Sequence, residues 1–346
     1  MELSSTPPSN IDPAALRARF TALPQNSDPA DQVQLARINL GRQLYFDKRL
    51  SRESNQSCNS CHQLTNYGVD NKQYSPGSMP GAIDTPRNTP TVYNAAFQLS
   101  QFWDGRAVNL IAQAHGPLVA PKEMALHNLQ EAVDVVTRVP GYAPEFRQAF
   151  PGQQDPVNIE NITASIAAFE QGLITPSPWD RYLQGDTAAL TPAQKKGLKL
   201  YLADGCDTCH AGRDMGGISY QRLGDVYRWG NKSDPGREKV THSATDFMFF
   251  KVPTLRNIAK TGPYFHDGSV PTLTDAIHLM ANFQAGQTIS DSDAASIAAF
   301  LGSMTGTLPA SYIAAPVESP SGSQSAGQYY EGNKTSSIRE SSGGRS

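Results

Sequence analysis

Apolar residues recur along much of this chain with helical spacing, and strict alternation is scarce, so the pattern predicts a mainly α protein. Asp31 stands as an N-cap before a segment that ends near Phe46. Residues 65–90, rich in Gly, Pro and Asn, read as a long loop. Helical patterning returns over 109–114 and around 159–173, and Thr175-Pro176-Ser177-Pro178 then breaks it. Thr191-Pro192-Ala193-Gln194 reads as an N-cap with proline at the first helical position. A further helix is expected over 273–280. The Pro/Ser-rich start reads as flexible, and the stretch from Pro316 has too little apolar surface to order itself. The expected division is a flexible lead at 1–13, a first domain at 14–175, a second at 176–314, and a disordered tail at 315–346.

The two expected domains carry matching strings. Gly41-Arg-Gln-Leu-Tyr-Phe46 has a counterpart in Gly197-Leu-Lys-Leu-Tyr-Leu202, and Pro90-Thr91-Val92-Tyr93-Asn94 in Pro253-Thr254-Leu255-Arg256-Asn257. At equal spacing after each asparagine come Trp103-Asp104-Gly105 and His266-Asp267-Gly268. The expectation is an internal duplication whose copies differ at tryptophan and histidine, where their chemistry would differ.

Each copy also holds one C-x-x-C-H string, Cys58 to His62 and Cys206 to His210, and together these use all 4 cysteines. This is the attachment motif of c-type haem: two thiols form thioethers with one porphyrin and the adjacent histidine becomes the proximal iron ligand. A zinc ribbon places its paired motifs much closer than the 144 residues between Cys61 and Cys206. A thioredoxin-like site needs a βαβ context that neither flank suggests, and structural disulfides leave the two histidines unexplained. Two covalent haem c groups are therefore expected, and redox chemistry with them.

Composition narrows the picture further. A chain of 346 residues is long enough for two cores, and a net charge of −3 points to no nucleic-acid partner. No segment approaches the length of apolar residues that spans a bilayer. Met1-Glu2-Leu3-Ser4-Ser5 does not open a signal peptide. Bacterial c-type haem is attached outside the cytoplasmic membrane, so a periplasmic location is expected, with the export signal already removed.

From about Arg37 to Thr305 the chain resembles the bacterial di-haem cytochrome c peroxidases. The resemblance rests on Pro86-Arg87-Asn88, Phe102-Trp103-Asp104-Gly105-Arg106-Ala107, Gly116-Pro117 with Glu123-Met124, Val252 to Asn257, and Pro263-Tyr264-Phe265-His266-Asp267-Gly268. It implies two cytochrome-c-like helical domains, a peroxidatic N-terminal haem at His62 and an electron-accepting C-terminal haem at His210. Periodicity alone makes Met280 core filler; the resemblance makes it the second ligand of the C-terminal iron, where a thioether raises the potential. Sequence alone likewise makes Glu123 a solvated charge, whereas the resemblance makes it the acid–base group for hydrogen peroxide, with Gln113 hydrogen-bonding the peroxide. Trp103 matches the family tryptophan between the haems. A calcium ion is implied at Asn88 with backbone oxygens of Thr261 and Pro263. No family role falls to His115, His127, His242 or His278. The electron donor would be a small cytochrome c or cupredoxin, and the family commonly forms homodimers.

One departure stands out. Many relatives cap the resting peroxidatic haem with a histidine in the loop after the first motif, but residues 63–102 contain none. Either that iron is open or water-bound, or Met79 replaces the histidine. An open site also suits a second reading, that of MauG-like enzymes, which use peroxide to oxidise residues such as tryptophan on a partner protein. MauG itself places tyrosine at the second haem, whereas this chain has Met280. A non-enzymatic di-haem electron carrier is the third reading, and it would need neither Glu123 nor Gln113.

Overall fold

The computed structural model describes residues 11, 13–25, 31–79 and 87–316. Most of the expected lead and tail, together with Pro80 and Pro86, lie outside them. The described residues form helices α1 (Pro13–Arg19), α2 (Gln32–Phe46), α3 (Cys58–Cys61), α4 (Leu110–Val119), α5 (Leu129–Arg138), α6 (Tyr142–Ala149), α7 (Ile159–Gln171), α8 (Pro178–Leu183), α9 (Pro192–Ala203), α10 (Glu238–Thr241), α11 (Leu273–Ala285) and α12 (Asp291–Gly302). A single antiparallel pair, β1 (Tyr220–Arg222) with β2 (Phe249–Lys251), accompanies them. The protein is mainly helical.

Local chemistry sets the helix ends. The Asp31 carboxylate accepts from Val33 N, and Thr191 and Gln194 form a capping box with Pro192 in the first turn. Asn109, Asn158 and Thr272 cap α4, α7 and α11 in the same way. Helix α4 runs on past the expected end at 114, through Pro117, to Val119. Helix α11 likewise extends to Ala285, where Gly286 at φ +66° ends it.

The two largest hydrophobic cores among the described residues lie one in each half. The first is built on Leu40, Leu44, Tyr45, Leu118, Phe146, Ile162 and Phe169, the second on Trp179, Leu198, Tyr201, Ile297, Phe300 and Leu301. Each rests on a close helix pair, and the pairs match. A Cβ on Gly41 of α2 would lie 1.8 Å from Ser165 O of α7, and one on Gly197 of α9 would lie 1.9 Å from Ser296 O of α12. One turn on, Tyr45 meets Phe169 edge-on at 5.3 Å and Tyr201 meets Phe300 at 5.2 Å. The glycine and tyrosine of the repeated string thus do the same work twice.

The chain ends depart from the expected division. Leu16 and Phe20, expected in the first domain, pack into the second core, where Phe20 meets Trp179 at 5.4 Å. At the other end Tyr312 stacks on Phe169 of the first core at 5.2 Å, with Ile313 beside it. Neither short segment has a core of its own, so each covers whichever apolar surface it reaches.

Candidate functional site

At the first motif Ser57 and Ser60 form a capping box around the single turn of α3, and the His62 N–H closes it onto Cys58 O. The second motif is a 3-10 turn over Cys206–Thr208, entered through Gly205 at φ +74°, with the His210 N–H on Cys206 O at 3.0 Å. The histidines then share one set of partners. Tyr45 Oη donates to His62 O at 2.9 Å, and Tyr201 Oη to His210 O at 2.5 Å. His62 Nδ1 lies 3.0 Å from Pro90 O and 3.4 Å from Gly68 O; His210 Nδ1 lies 3.2 Å from Pro253 O and 3.4 Å from Met215 O.

A carbonyl oxygen only accepts, so each Nδ1 carries the proton and each Nε2 keeps its lone pair for a metal. Burial lowers both imidazoles, His210 to about 4, which keeps them neutral at pH 7. All four cysteines are free of disulfides. The second motif also has an apolar wall available. Helix α11 buries only Ala276 fully, and leaves Ile277, Leu279, Met280 and Phe283 half-buried. This donor set, twice over, fits haem c.

The acid–base candidate is placed by a chain reversal at the end of α4. Beyond the helix Met124 N returns to Pro117 O at 3.0 Å and Leu126 N to Leu118 O at 2.9 Å, with Ala125 at φ +59°. Glu123 sits in that reversal, beside the first motif: burial raises the Cys58 and Cys61 thiols, and the Glu123 charge adds to both. Burial pushes the Glu123 carboxyl above its ordinary range, and the nearby Arg106 guanidinium pulls it back. Arg106 is itself held 3.4 Å over the Phe102 ring and 3.1 Å from Asp104 Oδ1. Gln113 lies half-buried on α4, ten residues before Glu123.

The loop that lacks a histidine packs on the same reversal. Ser78 N donates to Glu123 O at 2.7 Å, and a Cβ on Gly77 would fall 1.9 Å from Lys122 O. Met79, half-buried, is the last residue described before 87.

Trp103 lies between Phe102 and Asp104, the two residues that hold Arg106. Its indole donates to Asn88 O at 2.8 Å, and its ring joins a cluster with Phe250, Trp229 and the α11 residues Leu279 and Phe283. Asn88 is buried; its side-chain amide donates to Lys72 O at 2.9 Å, and its N–H to His266 O at 2.7 Å. Asn71 Nδ2 donates to Lys260 O at 3.2 Å and Gly262 O at 2.7 Å, next to Thr261 and Pro263. Among the described residues no group of three or more His, Cys, Asp or Glu is placed to hold a metal. The expected calcium set, one amide and two backbone oxygens, is not of that kind.

Sequence reasoning missed several buried groups. Tyr45, Tyr201, Pro90 and Pro253 served only as repeat markers, although they hold the proximal histidines. Glu170 of α7 is buried with Oε2 unpartnered, its carboxyl pushed to about 8 by burial. Lys251 and Asp214 are also buried, and no sequence signal set them apart from surface charges.

Comparison with known proteins agrees with this geometry. A family model described as di-haem cytochrome c peroxidase matches residues 35–188. The cytochrome c551 peroxidase of Pseudomonas aeruginosa is 43% identical over 276 residues, covering 78% of this chain and 79% of that protein. The methylamine utilization protein MauG of Methylorubrum extorquens is 37% identical over 270 residues, 77% of this chain and 74% of that one. Among solved structures, a MauG-like protein associated with microbial copper homeostasis superposes with a TM-score of 0.70 at 29% identity, covering 85% of this chain and 96% of that chain.

Proposed function

The chain belongs to the di-haem cytochrome c peroxidase family, and from that premise we propose that it reduces hydrogen peroxide to water with electrons from a small periplasmic redox protein. The observation that carries this reading is the half-buried Glu123 carboxyl beside the Cys58–His62 motif, raised by burial and opposed by the Arg106 guanidinium. The balanced reaction takes one peroxide, two electrons and two protons to two waters.

Cys58, Cys61 and His62 would hold one haem, and Cys206, Cys209, His210 and Met280 the other. When bound, haem iron supplies a site for peroxide and a store for electrons. The chain's own residues do the rest. Glu123 takes a proton from one peroxide oxygen and returns it to the leaving oxygen, and its raised proton affinity suits both halves of that transfer. Gln113 would orient the peroxide by hydrogen bonding. Trp103, packed against the helix that carries Met280, would connect the two sites. The doubled glycine contacts, tyrosine contacts and proline carbonyls support an internal duplication. Calcium at Asn88, Thr261 and Pro263, a cytochrome c or cupredoxin donor, and a homodimer belong to the same reading.

A second reading has specific support. The absence of histidine over 63–102 and the resemblance to MauG favour peroxide-driven oxidation of residues on a partner protein. Glu123→Gln tests the shared core of both: it should leave both haems bound but cut the peroxide reaction roughly 100-fold or more. An unchanged rate would remove Glu123 from its assigned role.

A further inference from the structure

Lys251, the last residue of β2, is a cation only 7% exposed, and it forms no ion pair among the described residues. Its ammonium donates instead to Gln98 Oε1 and, at 2.8 Å, to Ser100 O. The same amide continues outward: Gln98 Nε2 donates to Asp214 Oδ2 at 2.8 Å. Asp214 is 1% exposed, and its Oδ1 has no partner. A buried cation and a buried carboxylate are thus joined through one glutamine, whose orientation is dictated because only its oxygen can accept from an ammonium and only its nitrogen can donate to a carboxylate. Gly217 leaves the amide its room, since a Cβ there would fall 2.7 Å from Gln98 Cγ.

Each member of this bridge abuts the electron path. The Lys251 N–H donates to Trp103 O at 2.8 Å, and Gln98 and Ser100 lie on the segment that leads into Trp103. Two residues beyond Lys251, Pro253 offers its carbonyl to His210 Nδ1. Asp214 precedes Met215, the other carbonyl near His210 Nδ1, and its own carbonyl accepts from Thr254 Oγ1 at 2.6 Å. Desolvating two such charges costs several kcal/mol, and apolar side chains would pack as well or better. Packing alone does not account for the bridge.

We propose that the Lys251–Gln98–Asp214 bridge positions Trp103 against the backbone that holds His210 and, through its charges, sets the reduction potential of the haem at the second motif. The inference rests on the reading that this haem is the point of electron entry. Burial lowers Lys251 and raises Asp214, and the charge of each opposes the other's shift. The Lys251 cation disfavours the more positive, oxidised iron and raises its potential, whereas the Asp214 carboxylate lowers it.

The test is an optically monitored potentiometric titration of the haem-loaded protein and its variants. Lys251→Met should shift the second-motif haem to lower potential, Asp214→Asn should shift it to higher potential, and the double variant should fall between them. Lys251→Arg, which keeps the charge, should stay nearest the parent. Shifts of the same sign in the two single variants, or no shift in either, would overturn the proposal. Asp214→Asn keeps the side-chain shape, so if Lys251→Met fails to accumulate, an unmoved potential in Asp214→Asn is itself decisive against it. The underlying reading fails separately: in the parent protein the donor would then reduce the first-motif haem first, whatever the variants do.

Discussion

Replacing Glu170 by glutamine tests whether the first core stores a protonation penalty. The carboxyl is buried beneath Tyr45 and Cys58 on α7, one oxygen lacks a partner, and burial raises it from an ordinary 4.5 to about 8. An acid whose folded-state value is raised binds its proton more tightly in the native state. Stability is therefore complete below the unfolded value of 4.5 and is lost as pH rises through about 8. Each tenfold change in proton activity across that window is worth about 1.4 kcal/mol, so the penalty reaches about 3 kcal/mol at neutral pH and grows little beyond pH 8. Glutamine cannot ionise and has nearly the same shape. Glu170→Gln should thus match the parent near pH 4 and exceed it by about 3 kcal/mol at pH 7, read from denaturant midpoints of the ferric protein at several pH values. A stability difference that stays flat across pH would show that Glu170 carries no protonation penalty, because a packing effect of the amide has no pH dependence.

Two further outcomes follow from the peroxide pocket. Arg106→Gln removes the cation that opposes burial at Glu123, so the acid limb of the peroxide reaction should move to higher pH, while Arg106→Lys should leave it near its original position; a limb that stays put in both would detach Arg106 from Glu123. The electron paramagnetic resonance spectrum of the oxidised protein should contain a high-spin ferric component at the first haem, since residues 63–102 offer no capping histidine; a purely low-spin spectrum at both haems would assign the sixth position to Met79 or another side chain.

Much of the scaffold was legible because it is local. Asp31, Thr191 and Pro192 act within one helical turn, and the C-x-x-C-H strings carry their chemistry in five residues. The repeat was legible too, although its meaning was not: Gly41 and Gly197 recur because each is pressed against a backbone carbonyl of a partner helix, and Pro90 and Pro253 because each offers its own carbonyl to a histidine. Such reasons live in contacts between segments far apart in sequence. The same holds for the crossed termini, where Phe20 covers Trp179 and Tyr312 covers Phe169. Buried charge was least visible. Lys251 and Glu170 are written like any surface residue, and only packing from several elements takes them out of water.

If peroxide is reduced at the expense of a small redox protein, mixing hydrogen peroxide with the haem-loaded protein and excess reduced cytochrome c gives rapid turnover, with two equivalents of cytochrome oxidised per peroxide consumed. Negligible donor oxidation, with peroxide spent instead on oxidising tryptophan in a partner protein, would overturn the peroxidase reading.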